Sequence, residues 1–270
     1  MMKKLGLIAA VVCVLSCPWA AAQEGSIRQF DVPTLEKLGH DMYLQDRAAW
    51  HASDALIAVH PQADLLKEKV RGWIVEDRPD GQLVRFIRTG DTGPEAAYDI
   101  SNASGKPVVT APQDRNLTGS EKAQYFARDL ALKSVTQRCG DNYNTVVLKD
   151  PAGPGWLAWA LAATSNPNLV MAGGHHRLTV SADGTQVVQM DALSRSCAML
   201  QKGGSVPAGG KLAGLLTTQL VSNLPVETFV FLSLNQGLPI FVMTPDRTLW
   251  RVADGKISQI NAPAQKPDAK

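Results

Sequence analysis

Apolar positions in the first part of the chain follow a helical period and then give way to strand-like runs. Over 34–58 they fall on one face, and Pro33 stands where the first turn of a helix accepts proline. The residues of this face are Leu35, Leu38, Met42, Ala49, Ala52 and Leu56. Four runs rich in β-branched and aromatic residues follow at 73–75, 83–87, 96–100 and 107–110. The pattern predicts an amphipathic helix followed by an antiparallel meander.

A second helix is predicted from its start signal. Thr118 and Glu121 have the spacing of a capping box, in which each side chain satisfies a backbone N–H of the first turn. Apolar residues then continue at helical spacing as far as Ala131. Gly140 is expected to end this helix, which would place Cys139 at the helix terminus.

The second half of the chain consists mainly of strand-like runs. Asp183 and Gly184 form a hairpin signal between two of them. The glycine-rich stretch 202–211 predicts a long loop or a joint between subdomains, and a short helix is expected over 212–220. The strand-like runs lie at 145–148, 156–163, 169–172, 176–181, 187–190, 228–234, 240–244 and 249–252.

Strands joined by short turns therefore outnumber helices. This order favours an α+β fold over alternating βαβ units. We expect a mainly antiparallel sheet with two or three packing helices. We expect a single domain over 23–260 and a flexible tail over 261–270.

The first 22 residues have the order of a secretory signal peptide. Lys3 and Lys4 precede an apolar run of 11 residues, and three alanines at 20–22 follow. The run is too short to cross a bilayer, which takes about 20 residues in a helix. We expect cleavage after Ala22 and a periplasmic or secreted chain without a transmembrane segment. Acylation of Cys17, which would make a lipoprotein, is the alternative.

Removal of this leader makes the chain formally neutral. The full sequence has 27 basic and 25 acidic residues, and the leader contains two of the lysines and no acid. No block of Lys and Arg remains that could neutralise many phosphates, so we expect no nucleic-acid partner. With 45% apolar and 19% charged residues, the chain can form a core, which excludes wholesale disorder.

Two of the four cysteines belong to the leader. The remaining pair, Cys139 and Cys197, is expected to form a disulfide in an oxidising compartment. A catalytic thiol is the alternative, but the sequence has no C-x-x-C spacing to support it.

The five histidines do not have the spacing of a metal site. His40 and His51 would share one helix face but stand about 16 Å apart along the axis. His175 and His176 would project to opposite sides of a strand. His176 has the parity of Leu178 and is expected to be a core histidine, whereas His175 is expected to be the more exposed of the two. We expect no metal and no cofactor.

A compact polar cluster beside Cys139 is a weak candidate for a ligand site. It comprises Asp141, Asn142, Tyr143 and Asn144, and His175 is the fifth candidate. An Asx-turn that links a helix to a strand also explains the cluster.

No catalytic template fits the sequence. There is no G-x-S-x-G turn, and residues 204–212 depart from the phosphate-loop pattern at Ser205 and Leu212. We therefore assign no catalytic residue and expect a non-catalytic binding or envelope-associated module, whose partner is a protein or a small ligand of the cell envelope. The alternative is a periplasmic hydrolase with a dispersed site around His175.

Several short motifs together resemble one family. They lie at 117–139, 142–148, 173–184, 193–197, 227–234, 239–242 and 250–252, and include the segments NYNTVVL, GGHHRLTVSADG and LSRSC. Together they cover about half of the chain that follows the leader. In them the chain resembles uncharacterised exported proteins of Gram-negative bacteria. The resemblance implies a periplasmic or surface location and transfers no functional residue.

Overall fold

The computed structural model describes residues 26–102, 105–140, 142–203 and 209–260. Over these ranges it contains four helices and fourteen strands in an α+β arrangement of four sheets. All strand pairs are antiparallel except one. The predicted fold class is therefore confirmed.

The N-terminal part is a helix against a meander. α1 (Val32–Val59) begins at Asp31, whose carboxylate accepts the Thr34 N–H, and the short α2 (Gln62–Lys67) follows. The sheet has the order β1-β2-β3-β4. Its strands are β1 (Val70–Arg78), β2 (Gly81–Gly90), β3 (Gly93–Ser101) and β4 (Val108–Thr110). The second half of α1 buries Ala52 and Leu56 in a core with Val84 of β2 and Ile100 of β3.

The central sheet has the order β5-β6-β8-β9. It follows α3 (Gly119–Ser134), which begins with the predicted capping box. The strands are β5 (Asn142–Lys149), β6 (Trp156–Ala163), β8 (His176–Val180) and β9 (Val187–Ala192), and β7 (Leu169–Met171) pairs separately with β10 (Met199–Gln201). The predicted hairpin between β8 and β9 turns at Gly184, which has a left-handed conformation at φ 77°.

The C-terminal sheet is joined to the rest by a buried helix. Its strands are β11 (Leu215–Thr218), β12 (Ile240–Met243), β13 (Leu249–Ala253) and β14 (Lys256–Gln259), and α4 (Glu227–Gln236) connects β11 to its parallel neighbour β12. α4 packs against α1 at Gly39, where a side chain would collide with Val230.

The central sheet is covered on both faces. On one face, the alanine stripe of α3 at Ala123, Ala127 and Ala131 packs on Ala158 and Leu178. On the other face, α1 and α4 form the largest core with the alternate residues of the same strands. Members of this second core include Met42, Val146, Leu157, Trp159, Leu161 and Val230.

Three predicted elements are wrong. α3 ends at Ser134, so Cys139 lies in a loop and not at a helix terminus. Residues 212–220, predicted as a helix, contain strand β11. Residues 228–234, predicted as a strand, belong to α4. This helix is buried and apolar on nearly every side, so its sequence lacks the amphipathic period by which a surface helix is recognised.

Parts of the predicted organisation fall outside the described residues. These parts are the leader 1–22, with Cys17, the centre of the glycine-rich stretch at 204–208, and the tail 261–270. In the described ranges, no helix combines the length and the apolar character needed to span a membrane.

Candidate functional site

Cys139 and Cys197 form the predicted disulfide, with Cα atoms 5.1 Å apart. It lies at the surface, since Cys139 is half-buried and Cys197 is exposed. The phenolic oxygen of Tyr143 accepts the Cys139 N–H at 2.9 Å and donates to the Gly174 carbonyl at 3.1 Å. The disulfide and Tyr143 thus fix the loop after α3 to the segment that leads into β8.

His175 is a core residue, and the expectation that it is the more exposed histidine is wrong. Its side chain is 2% exposed, whereas His176 is half-buried. Nδ1 accepts the Ala162 N–H at 3.0 Å, so Nε2 carries the proton and donates to the Met171 carbonyl at 2.9 Å. Burial lowers the pKa of His175 to about 4, which keeps the ring neutral. Both ring nitrogens are thus occupied by backbone groups.

The error has a physical cause. Parity along a strand separates core from solvent only when one face of the sheet is solvated, and this sheet is covered on both faces. Arg177, which shares the parity of His175, is fully buried for the same reason.

Among the described residues, Asn142, Tyr143 and Asn144 do not share an open site with His175, because His175 is buried in the core. Asp141 lies outside the described residues. Asn142 and Asn144 are exposed on β5, and Tyr143 is half-buried beneath the guanidinium of Arg138. Tyr143 therefore has a structural role that the sequence did not reveal.

An open cleft of about 770 Å³ lies beside the disulfide. It borders the C-terminal half of β9 and the loop 194–197 that returns to Cys197. The lining combines polar groups with a few apolar side chains: Ser26, Ile27, Gln137, Cys139, Gly174, His176, Met190, Asp191, Ala192, Ser194, Arg195, Ser196, Cys197, Leu220 and Val221. None of the predicted candidates Asn142, Tyr143, Asn144 and His175 lines this cleft.

The charged groups of the cleft differ in how well they are compensated. Asp191 accepts hydrogen bonds from the Arg177 guanidinium at 2.7 Å and from the Gln189 amide at 2.7 Å. Arg195 is exposed and, within the described ranges, forms no ion pair. Nδ1 of His176 is buried and has no hydrogen-bond partner among the described residues, and burial lowers the pKa of this imidazole.

Strand β9 forms the free edge of the central sheet beside the cleft. Val187, Val188 and Met190 are 40%, 70% and 40% exposed. The only charged residue of the strand, Asp191, is buried and paired with Arg177. The result is an apolar edge without a protecting exposed charge.

The backbone of β9 offers hydrogen-bonding groups to an incoming chain. Leu193 donates its N–H to the His175 carbonyl at 3.0 Å, on the side of β8. Backbone groups alternate in direction along an antiparallel strand, so Asp191 also faces β8, whereas Met190 and Ala192 face outward. In the described part of the chain, no backbone group receives the Met190 or Ala192 N–H.

Two other edge strands of the fold carry exposed charged side chains. β1 carries exposed Glu76, Asp77 and Arg78, and β14 begins with exposed Lys256. Charged side chains on an edge prevent further strands from pairing with it. β9 lacks this protection.

A buried ionic network behind the cleft was not anticipated from the sequence. Arg177 pairs with Asp191 and with Glu227 of α4, and Glu227 also accepts the Trp159 indole N–H at 2.8 Å. Arg28 makes a bidentate pair with Asp150 at 2.6 and 2.8 Å. Burial alone would raise the pKa of Asp150, but hydrogen bonds from Arg28 and the Ala152 amide lower it below its usual value. Because Arg177, Asp191 and Glu227 are paired with one another and buried, this part of the network is structural.

Among the described residues, no group of three or more His, Cys, Asp or Glu side chains is arranged to hold a metal ion. Comparisons of this chain with protein-family models, with curated proteins and with solved structures found no match.

Proposed function

We propose that this chain is an exported, non-catalytic binding module that accepts an extended segment of an envelope protein as an additional strand on β9. One observation carries the proposal: β9 is an exposed apolar edge strand without a surface charge, and it borders an open cleft. Peptide recognition by strand addition uses these two parts, an edge that supplies backbone hydrogen bonds and adjacent space for alternate side chains.

The apolar layer beneath α3 supports the same assignment. Met190 pairs in register with Leu178, which belongs to the core under α3. α3 packs over β5, β6 and β8, so the corresponding position on β9 remains exposed. An added strand with apolar side chains on this face would extend the layer and remove the Met190 side chain from water, which is favourable at about 25 cal/mol per Å² of apolar surface.

Export to the periplasm or the exterior is part of the proposal. The leader at 1–22 supports it, and so does the disulfide, because such bonds persist in oxidising compartments. Mass spectrometry of the chain purified from its native host tests it. We expect an N-terminus at Gln23. Acylated Cys17 would identify a lipoprotein instead, and an intact leader would contradict export.

The geometry gives no support to the hydrolase hypothesis. A general base needs a ring nitrogen that can reach substrate, and both nitrogens of His175 are bonded to backbone within the core.

Selection from a library of random linear dodecapeptides on the purified chain tests strand addition. The test variant is Met190→Lys, which places a charge on the β9 edge and leaves the buried side of the strand unchanged. We expect peptides that bind the wild-type chain and lose at least tenfold in affinity for the variant. Lys67→Met on α2, an exposed position that does not line the cleft, should bind like the wild type. Equal binding to the wild type and Met190→Lys, or no enrichment, would refute the proposal.

A further inference from the structure

We infer that the segment bound at β9 carries a carboxylate, and that Arg195 is the group that recognises it. This inference rests on the proposed function, since it specifies the chemistry of the ligand at the same site. The carboxylate belongs either to an Asp or Glu side chain or to the C-terminus of the partner. Both sources present the same planar anion to a guanidinium.

The balance of charge in the cleft carries the argument. Among the described residues, three ionisable side chains line it, namely His176, Asp191 and Arg195. Asp191 is already neutralised by Arg177, with Oδ2 2.7 Å from Nη2, and its other oxygen accepts from Gln189. Arg195 is left as a cation without an ion-pair partner in the described part of the chain. The described side chains of this cleft therefore present a positive charge to a ligand that fills it.

The remaining polar groups suit the same kind of ligand. Ser196 and Gln137 are exposed in the lining of the same cleft and offer hydrogen-bond donors to a ligand. No described residue bonds the buried Nδ1 of His176. A ligand donor or a bound water that reaches this atom would satisfy a group that is costly to leave unpaired.

The position of Arg195 relates the carboxylate to the added strand. β9 ends at Ala192, and Arg195 follows in the loop that runs to Cys197. A strand paired along β9 would thus place its apolar side chains beside Val188 and Met190 and its acidic group at the Ala192 end. The proposed ligand is an extended segment that is apolar in its paired part and acidic at the end that enters the cleft.

Peptides obtained by selection on the wild-type chain test this inference directly. Each peptide is synthesised in four forms: unaltered, with Asp and Glu replaced by Asn and Gln, with an amidated C-terminus, and with both changes. Binding is measured to the wild type, to Arg195→Gln and to Arg195→Lys. The matched control is Arg247→Gln, which removes the same charge from an exposed position outside the cleft.

We expect Arg195→Gln to weaken binding about tenfold, as for the loss of one charge-assisted hydrogen bond. Arg195→Lys should retain part of the affinity, and Arg247→Gln should not differ from the wild type. Either the peptide with Asn and Gln or the peptide with an amidated C-terminus should bind the wild type as weakly as the unaltered peptide binds Arg195→Gln. The form that shows this loss identifies the source of the carboxylate. Neutralisation should cause no further loss in Arg195→Gln.

The outcomes separate this inference from the proposed function. If Met190→Lys abolishes binding while Arg195→Gln stays within twofold of the wild type, strand addition stands and the carboxylate inference is overturned. If no peptide depends on the β9 edge, both fail together. Equal losses in Arg195→Gln and Arg247→Gln would also overturn the inference, because they would indicate a general charge effect.

Discussion

The guanidinium of Arg177 and the carboxylate of Glu227 form a fully buried ion pair, with Nη1 3.0 Å from both carboxylate oxygens. The pair joins β8 of the central sheet to the first turn of α4, where a negative charge also interacts favourably with the helix dipole. The Phe30 ring lies 4.9 Å from the Arg28 and from the Arg177 guanidinium carbons. Through these contacts the segment before α1 is attached to the sheet that carries β9.

Replacing the cation of this pair should strongly destabilise the fold. Arg177→Met leaves Asp191 and Glu227 buried without their counter-ion, and breaking a buried pair in this way costs about 3–5 kcal/mol. Urea unfolding should therefore show a large loss of unfolding free energy. As a control, Lys37→Met removes one partner of an exposed pair and should cost less than about 1 kcal/mol. A comparable, small loss in both variants would contradict a structural role for the network.

The folded state should become less stable as the pH falls below the ordinary pKa of histidine. The pKa of His175 is about 4 in the fold, against an ordinary value of 6.5, so the unfolded chain binds more protons between these pH values. Stability should rise as the pH increases from about 4 to 6.5, by up to about 3 kcal/mol from this group. His175→Asn, which keeps an acceptor for the Ala162 N–H, should reduce this dependence in unfolding measured from pH 4 to 7. If the unfolding free energy of His175→Asn depends on pH as steeply as that of the wild type, the pKa of His175 is not lowered in the fold.

Asp46 should have the opposite effect. Burial raises its pKa from 3.8 to about 6, against a smaller attraction from Arg47, so the folded state holds the proton more tightly than the unfolded chain. Protonated Asp46 therefore stabilises the folded state fully below about pH 4, and this contribution is lost as the pH rises through about 6. Asp46→Asn should therefore stabilise the protein at pH 7 by about 1 kcal/mol, a figure reduced for solvent screening because the side chain is only partly buried. The substitution should have little effect at pH 4. Asp54→Asn on the exposed face of α1 is the control, and an equal gain there would argue against burial as the cause.

The disulfide should stabilise the wall of the cleft. It links residues separated by 58 positions, and removing a bond of this kind costs about 2–4 kcal/mol. The double variant Cys139→Ser/Cys197→Ser should unfold at lower urea concentration, and its peptide affinity should fall even where it remains folded. Thiol labelling of the wild type after unfolding without reductant should modify neither cysteine. Labelling of both would show that the bond is absent in the native compartment.

The sequence predicted the elements with distinct local signals and missed those defined by tertiary burial. The capping box at Thr118 and the hairpin glycine at Gly184 act through neighbouring backbone groups, so each could be identified from a few residues. α4 and the network at Arg177 depend on segments far apart in sequence. For the same reason β9 looked like an ordinary strand, because nothing in its own residues shows that it lies at the edge.

The site was predicted only in part. Cys139 and Cys197 were paired correctly, and both line the cleft. His175 was misplaced because both faces of the central sheet are covered. Arg195 stands beside Cys197 in the sequence, but only the structure places it in a cleft where the neighbouring carboxylate is already paired.

Residue-resolved amide hydrogen exchange, with and without a selected peptide, tests strand addition most directly. We predict slower exchange at Met190 and Ala192, whose N–H groups face outward, and little change at Gln189 and Asp191, whose N–H groups already face β8. Slower exchange confined to other parts of the chain, with Met190 and Ala192 unchanged in the complex, would contradict binding at the β9 edge.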